Sequence, residues 1–69
     1  MPKTPYNGQT IKVLDKSPGE TWIDFNSKYV CPADTKYESR SLNSNWACEG
    51  TYPRLFTYLD NTWYEEYMG

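Results

Sequence analysis

The chain of 69 residues contains no histidine. That removes the commonest general base, the commonest metal ligand and the ordinary pH switch. Glycine is scarce: Gly8, Gly19, Gly50 and Gly69 stand alone, so no glycine-rich loop cradles a phosphate. There are only two cysteines, Cys31 and Cys48, and they lack the close spacing of a zinc site. No apolar run approaches the length of a membrane span, and no apolar leader core follows Met1. Asn-x-Ser/Thr acceptors are missing too. With a start that reads Met1-Pro2-Lys3, the expectation is an intact chain kept in a cytoplasm, or in a host cytoplasm if the protein is viral.

These absences narrow the chemistry. A cysteine nucleophile would lack a histidine base, and no serine or lysine sits in a recognisable activated setting. Asp15 and Asp24 flank an expected first hairpin, which would bring them near each other, but paired-carboxylate hydrolysis needs a walled groove that so short a chain can hardly build. No catalytic residue, metal or cofactor is therefore assigned, and the expectation is a non-enzymatic protein. Cys31 and Cys48 form a candidate disulfide, worth roughly 3 kcal/mol in a loop-entropy account. A cytoplasmic setting favours the alternative of two buried thiols.

What is present is a heavy load of rings: seven Tyr, three Trp and two Phe. Seven Lys and Arg face nine Asp and Glu, a mildly acidic balance that lacks the basic surface needed to displace counterions from nucleic acid. Charge is uneven along the chain. Lys3, Lys12, Lys16 and Lys28 lie in the first half, whereas after Cys48 only Arg54 opposes Glu49, Asp60, Glu65 and Glu66.

The residue pattern predicts a single, mainly β domain over residues 1–69. It would form one small antiparallel sheet or open barrel of four to six short strands with a long middle loop. Residues 1–9, with Pro2, Pro5 and Asn7-Gly8, predict an extended arm ending in a turn, with Tyr6 anchoring it on the core. Thr10–Asp15 and Thr21–Asn26 alternate around Ser17-Pro18-Gly19-Glu20, which predicts a type II turn and a hairpin. Lys28–Cys31 is a candidate third strand closed by Pro32. Ala33–Asn45 is polar, with an irregular edge strand expected around Tyr37 within Thr35–Leu42. Asn43-Ser44-Asn45 is a loop signal, and Trp46-Ala47-Cys48 is a short apolar patch ended by Glu49-Gly50.

The C-terminal run from Leu55 to Tyr67 predicts a second hairpin turning at Asp60-Asn61. That turn would set Tyr58 opposite Trp63, Thr57 opposite Tyr64 and Phe56 opposite Glu65. A rival pattern, Thr62-Trp63-Tyr64-Glu65, has the form of a helical capping box. Adjacent Glu65 and Glu66 would point to opposite faces of a strand.

A core of this size holds about five large rings. The candidates are Trp22 or Phe25, Trp46, Phe56 and Trp63. The remaining tyrosines are left for the surface, where a ring that costs little entropy to order suits contact. The leading expectation is a protein-interaction module, a small regulator or inhibitor of the size phages encode. It would bind a basic protein surface through Tyr58, Asp60, Trp63, Tyr64, Glu65, Glu66 and Tyr67. Alternatives are a module binding glycan or single-stranded nucleic acid through exposed Tyr and Trp, or a structural assembly subunit. An oligomer is left open.

Overall fold

A computed structural model describes residues 1–14, 16, 20–43, 46–49 and 53–67, with the backbone alone for Glu20, Thr21, Asn43 and 46–49. These residues form seven strands: β1 (Thr10–Val13), β2 (Glu20–Ile23), β3 (Lys28–Cys31), β4 (Ser41–Asn43), β5 (Trp46–Glu49), β6 (Arg54–Leu59) and β7 (Thr62–Tyr67). A single 3-10 turn, Ala33–Thr35, follows β3. Five strands make an open sheet in the order β1-β6-β7-β3-β4, and β2 pairs with β5 in a separate two-stranded ladder. The mainly β expectation holds. Among the described residues no helix is long and apolar enough to cross a membrane.

The C-terminal hairpin forms with the register the sequence predicts, Tyr58 opposite Trp63, Thr57 opposite Tyr64 and Phe56 opposite Glu65. Asp60 and Asn61 have φ of 49° and 61°. A two-residue hairpin of this hand matches the twist of its strands, and Asp and Asn tolerate the left-handed region better than most residues. The rival helical turn at Thr62 is not formed, because ring-rich residues gain more from cross-strand packing than from a single helical turn.

The first hairpin is a correction. β1 pairs antiparallel with β6, Ile11 opposite Phe56, whereas β2 pairs with β5, Ile23 opposite Trp46. Alternation of apolar residues states which face of a strand is buried but not which strand lies beside it. Residues 17–19 of the expected Pro-Gly turn lie outside the described residues. Asp15, residues 44–45 of the expected middle loop and Gly50 lie outside them as well.

Three further expectations change. The sheet is mixed, because β3 runs parallel to β7, with Val30 opposite Trp63. The strand in the middle section lies at Ser41–Asn43, while Lys36 and Tyr37, expected within an edge strand, take φ of 54° and 64°. Tyr6 is exposed rather than anchored. The arm is held by Met1, whose amino group donates to the Asp24 carbonyl at 2.8 Å and whose carbonyl accepts from the Asn26 side chain. The arm's other end, Gln9, accepts from the Tyr58 amide at 2.9 Å, and Gly8 donates to the Tyr58 carbonyl at 2.8 Å.

Phe25, Val30, Phe56, Tyr58 and Trp63 form the core, with Met1, Ile11, Val13 and Ile23 packed against them. Of the two first-half candidates, Phe25 is buried and Trp22 is 62 % exposed. The Trp46 side chain lies outside the described residues. Phe25 meets Phe56 edge-on at 5.4 Å, and Tyr58 meets Trp63 at 5.1 Å between ring centroids. Both separations suit favourable aromatic contact.

Candidate functional site

Strand alternation sorts the residues of the C-terminal hairpin onto two faces. Arg54, Phe56, Tyr58, Trp63, Glu65 and Tyr67 share the inner face, and Leu55, Thr57, Leu59, Thr62, Tyr64 and Glu66 share the outer one. The seven residues expected to bind a partner are therefore divided. Tyr58, Trp63 and Glu65 are buried and cannot grip another molecule, which corrects their assignment. They line the inner face because their register partners are core residues or each other. Tyr67 is exposed but stands at the inner-face end of the strand, its ring 5.9 Å from the Arg54 guanidinium carbon. Asp60 is exposed at the hairpin tip, its amide donating to Asn7 Oδ1 at 3.2 Å. Tyr64 and Glu66 alone face outward together.

Glu65 has an internal role. Its Oε2 lies 3.1 Å from Arg54 Nε, and its Oε1 accepts from the Ala33 amide at 3.1 Å. Burial pushes its pKa above the ordinary carboxylate value, with Asp34 adding to the rise, while the Ala33 amide and Arg54 pull it back down. The carboxylate thus ties the 3-10 turn to the sheet and fixes the start of the segment that crosses the outer face.

That segment, residues 36–40, roofs the β7–β3 half of the outer face. The Arg40 guanidinium sits 4.3 Å above the Tyr29 ring and donates from Nη1 to Thr62 Oγ1 at 2.8 Å. Beneath it Thr62 is fully buried. Tyr37 meets Tyr64 edge-on, 5.7 Å between centroids and 70° between planes. Desolvation, followed by the charge of nearby Glu66, raises the pKa of the Tyr37 hydroxyl.

Two hollows flank this ring pair. Cys31, Tyr37, Glu38, Ser39, Arg40 and Tyr64 enclose about 260 Å³ on the β3 side. Tyr37, Thr57, Leu59, Tyr64 and Glu66 bound about 340 Å³ on the β6 side. Tyr64 lies between them because β7 is flanked by Thr57 of β6 and Cys31 of β3 in register. Leu59, 47 % exposed, and Tyr37, 49 % exposed, stand beside the second hollow as an open apolar rim.

Tyr37, Leu59 and Thr57 join the candidates named from the sequence. Thr57 and Leu59 follow from the predicted register, since they share parity with Tyr64. Tyr37 had no such signal, because Lys36 and Tyr37 lack the Gly or Asn that marks a left-handed backbone. A bulky residue at positive φ is an outlier, and such strain concentrates where a side chain must be aimed.

Cys31 is a free, buried thiol 3.7 Å from Thr35 Oγ1. The disulfide considered with Cys48 is therefore not formed at the Cys31 end, and the Cys48 side chain lies outside the described residues. Among the described residues no group of three His, Cys, Asp or Glu converges to hold a metal. Asp24 is exposed, and its Oδ1 accepts from the Asn26 amide at 2.8 Å in a local turn. No protein-family model, curated protein or solved structure matches the chain, so the reading of the site rests on its own geometry.

Proposed function

We propose that the protein is a non-enzymatic protein-interaction module that binds its partner through the outer face of the C-terminal hairpin. The observation that carries this reading is the open groove of Tyr37, Thr57, Leu59, Tyr64 and Glu66, apolar in lining and acidic at its rim. Apolar and aromatic side chains left on an open face are anchors in search of a partner. Glu66 and Asp60 favour a basic counterpart, and charge of this kind speeds encounter and selects partners more than it adds affinity. A small cytoplasmic regulator or inhibitor fits this size and surface.

The second reading, a platform for single-stranded nucleic acid, draws on Tyr29 and Arg40 lying stacked on the same sheet. Arg40 is already held by Tyr29 and Thr62, and the open groove beside it is acidic, so the protein partner is preferred. The test is capture from the source lysate by wild type and by Tyr64→Ala. One stoichiometric protein retained by wild type and lost by the variant supports the module. Loss of every partner from wild type, with an oligonucleotide shifting the Tyr29 and Tyr64 resonances, replaces it.

A further inference from the structure

The groove on the β6 side has a chemistry more specific than its exposure. The Tyr37 and Tyr64 rings stand 70° apart and meet as a corner. Glu66 closes the rim beside Tyr37. Leu59 and Thr57 complete an apolar floor. A ring face attracts a cation through its quadrupole, and a carboxylate nearby adds a charge-assisted hydrogen bond. The four-carbon stem of lysine or the three-carbon stem of arginine covers apolar surface while its head keeps a polar contact. Rings, carboxylate and apolar floor are the three parts such a side chain needs.

We propose that this groove is a subsite for a lysine or arginine side chain of the protein partner, its stem on Leu59 and the tyrosine rings and its head at Glu66. The inference rests on the interaction reading above and assigns a chemical class to that site's occupant. None of the residues bounding the groove is a cation. Of the two cations in the roof, Arg40 is held on the far side of the ring pair by Tyr29 and Thr62, and Lys36, next to Tyr37 in the chain, is exposed and does not line the groove. Lys12 shares the outer face and the row of Leu55 and Glu66. It stands two strands from Glu66, about 10 Å at ordinary strand spacing. The left-handed backbone at Tyr37 aims one ring of the corner, which is a use for an otherwise unfavourable conformation.

The test uses the full chain and two tripeptides, acetyl-Gly-Arg-Gly-amide and its citrulline counterpart, which keeps the shape and loses the charge. Binding is followed by NMR at the Leu59 methyl groups and the Tyr37 and Tyr64 rings. The arginine peptide is expected to shift these signals saturably, with the citrulline peptide roughly tenfold weaker. Glu66→Gln should weaken the arginine peptide several-fold, whereas Glu38→Gln, an exposed acid on the other hollow, should leave it within about twofold. Equal binding of the two peptides, shifts centred elsewhere, no shift at all, or equal loss in both variants overturns the subsite. The two readings fail separately. A partner lost with Tyr64→Ala but indifferent to Glu66→Gln leaves the module and removes the cationic subsite. Charge-dependent peptide binding without any partner in the lysate does the reverse.

Discussion

Residues 63 and 64 are neighbours in sequence and opposite in consequence. Trp63 is fully buried against Tyr58 and the rest of the core. Tyr64 borders two hollows on the other side of the same strand. Glu65 and Glu66 repeat the contrast, the first held inside by Arg54 and the Ala33 amide, the second at an open rim beside Tyr37. Composition alone cannot separate these pairs. Strand parity can: it buries one face of the hairpin in the core and leaves the other, the proposed contact face, bordering open hollows.

The largest expected effect comes from the inner face. Trp63→Ala should cost about 3–5 kcal/mol, much of the stability of so small a domain, and unfold it near room temperature. Tyr64→Ala should cost less than about 1 kcal/mol and keep the circular dichroism of wild type while losing the partner. Urea midpoints for the two variants measure the contrast. Equal costs would erase the distinction between the faces.

Arg54→Ala comes next. It leaves a buried carboxylate without its guanidinium, which costs about 3 kcal/mol or more. Replacing both partners with apolar residues, Arg54→Met with Glu65→Leu, should recover a large part of that loss. The outer acid gives the comparison: Glu66→Gln should move the midpoint by less than about 0.5 kcal/mol.

The pH dependence sharpens the same contrast. Glu65 has a folded pKa raised above its unfolded value, so the folded state takes up its proton more readily. Its contribution to stability is full below the unfolded carboxylate pKa and is lost as pH rises through the raised folded value. Acidification from neutral pH towards the ordinary carboxylate range should therefore stabilise the protein on this group's account. Glu65→Gln should remove that part of the slope, and Glu66→Gln should not. Thermal melts across that range decide it.

A modest effect of the opposite sign is expected at the hairpin tip. Asn61→Gly relieves a positive φ and should add up to about 1 kcal/mol without altering partner binding.

The same locality explains what the sequence could reveal. The register of β6 and β7 was legible because a two-residue turn at Asp60-Asn61 fixes it within a dozen residues. Once that register is drawn, Glu65 falls beside Phe56 and its burial follows, although its charge alone suggests the surface. The partners of β1 and β2 were not legible, because Ile11 finds Phe56 and Ile23 finds Trp46 across long separations. Tyr37 was hidden for a different reason. Its place above Tyr64 depends on a left-handed Lys36-Tyr37 backbone and on the Glu65 tie to Ala33, both products of the folded sheet.

The most direct test of the two-faced hairpin is hydroxyl-radical footprinting of the native chain, read residue by residue, because it compares like rings with like. Trp22 is 62 % exposed and Trp63 is 0 %, while Tyr37 is 49 % exposed and Tyr58 is 8 %. Oxidation should run fast at Trp22 and Tyr37 and stay low at Trp63 and Tyr58 until the fold is lost in urea. Trp63 and Tyr58 reacting as fast as Trp22 and Tyr37 in the native protein would contradict the account.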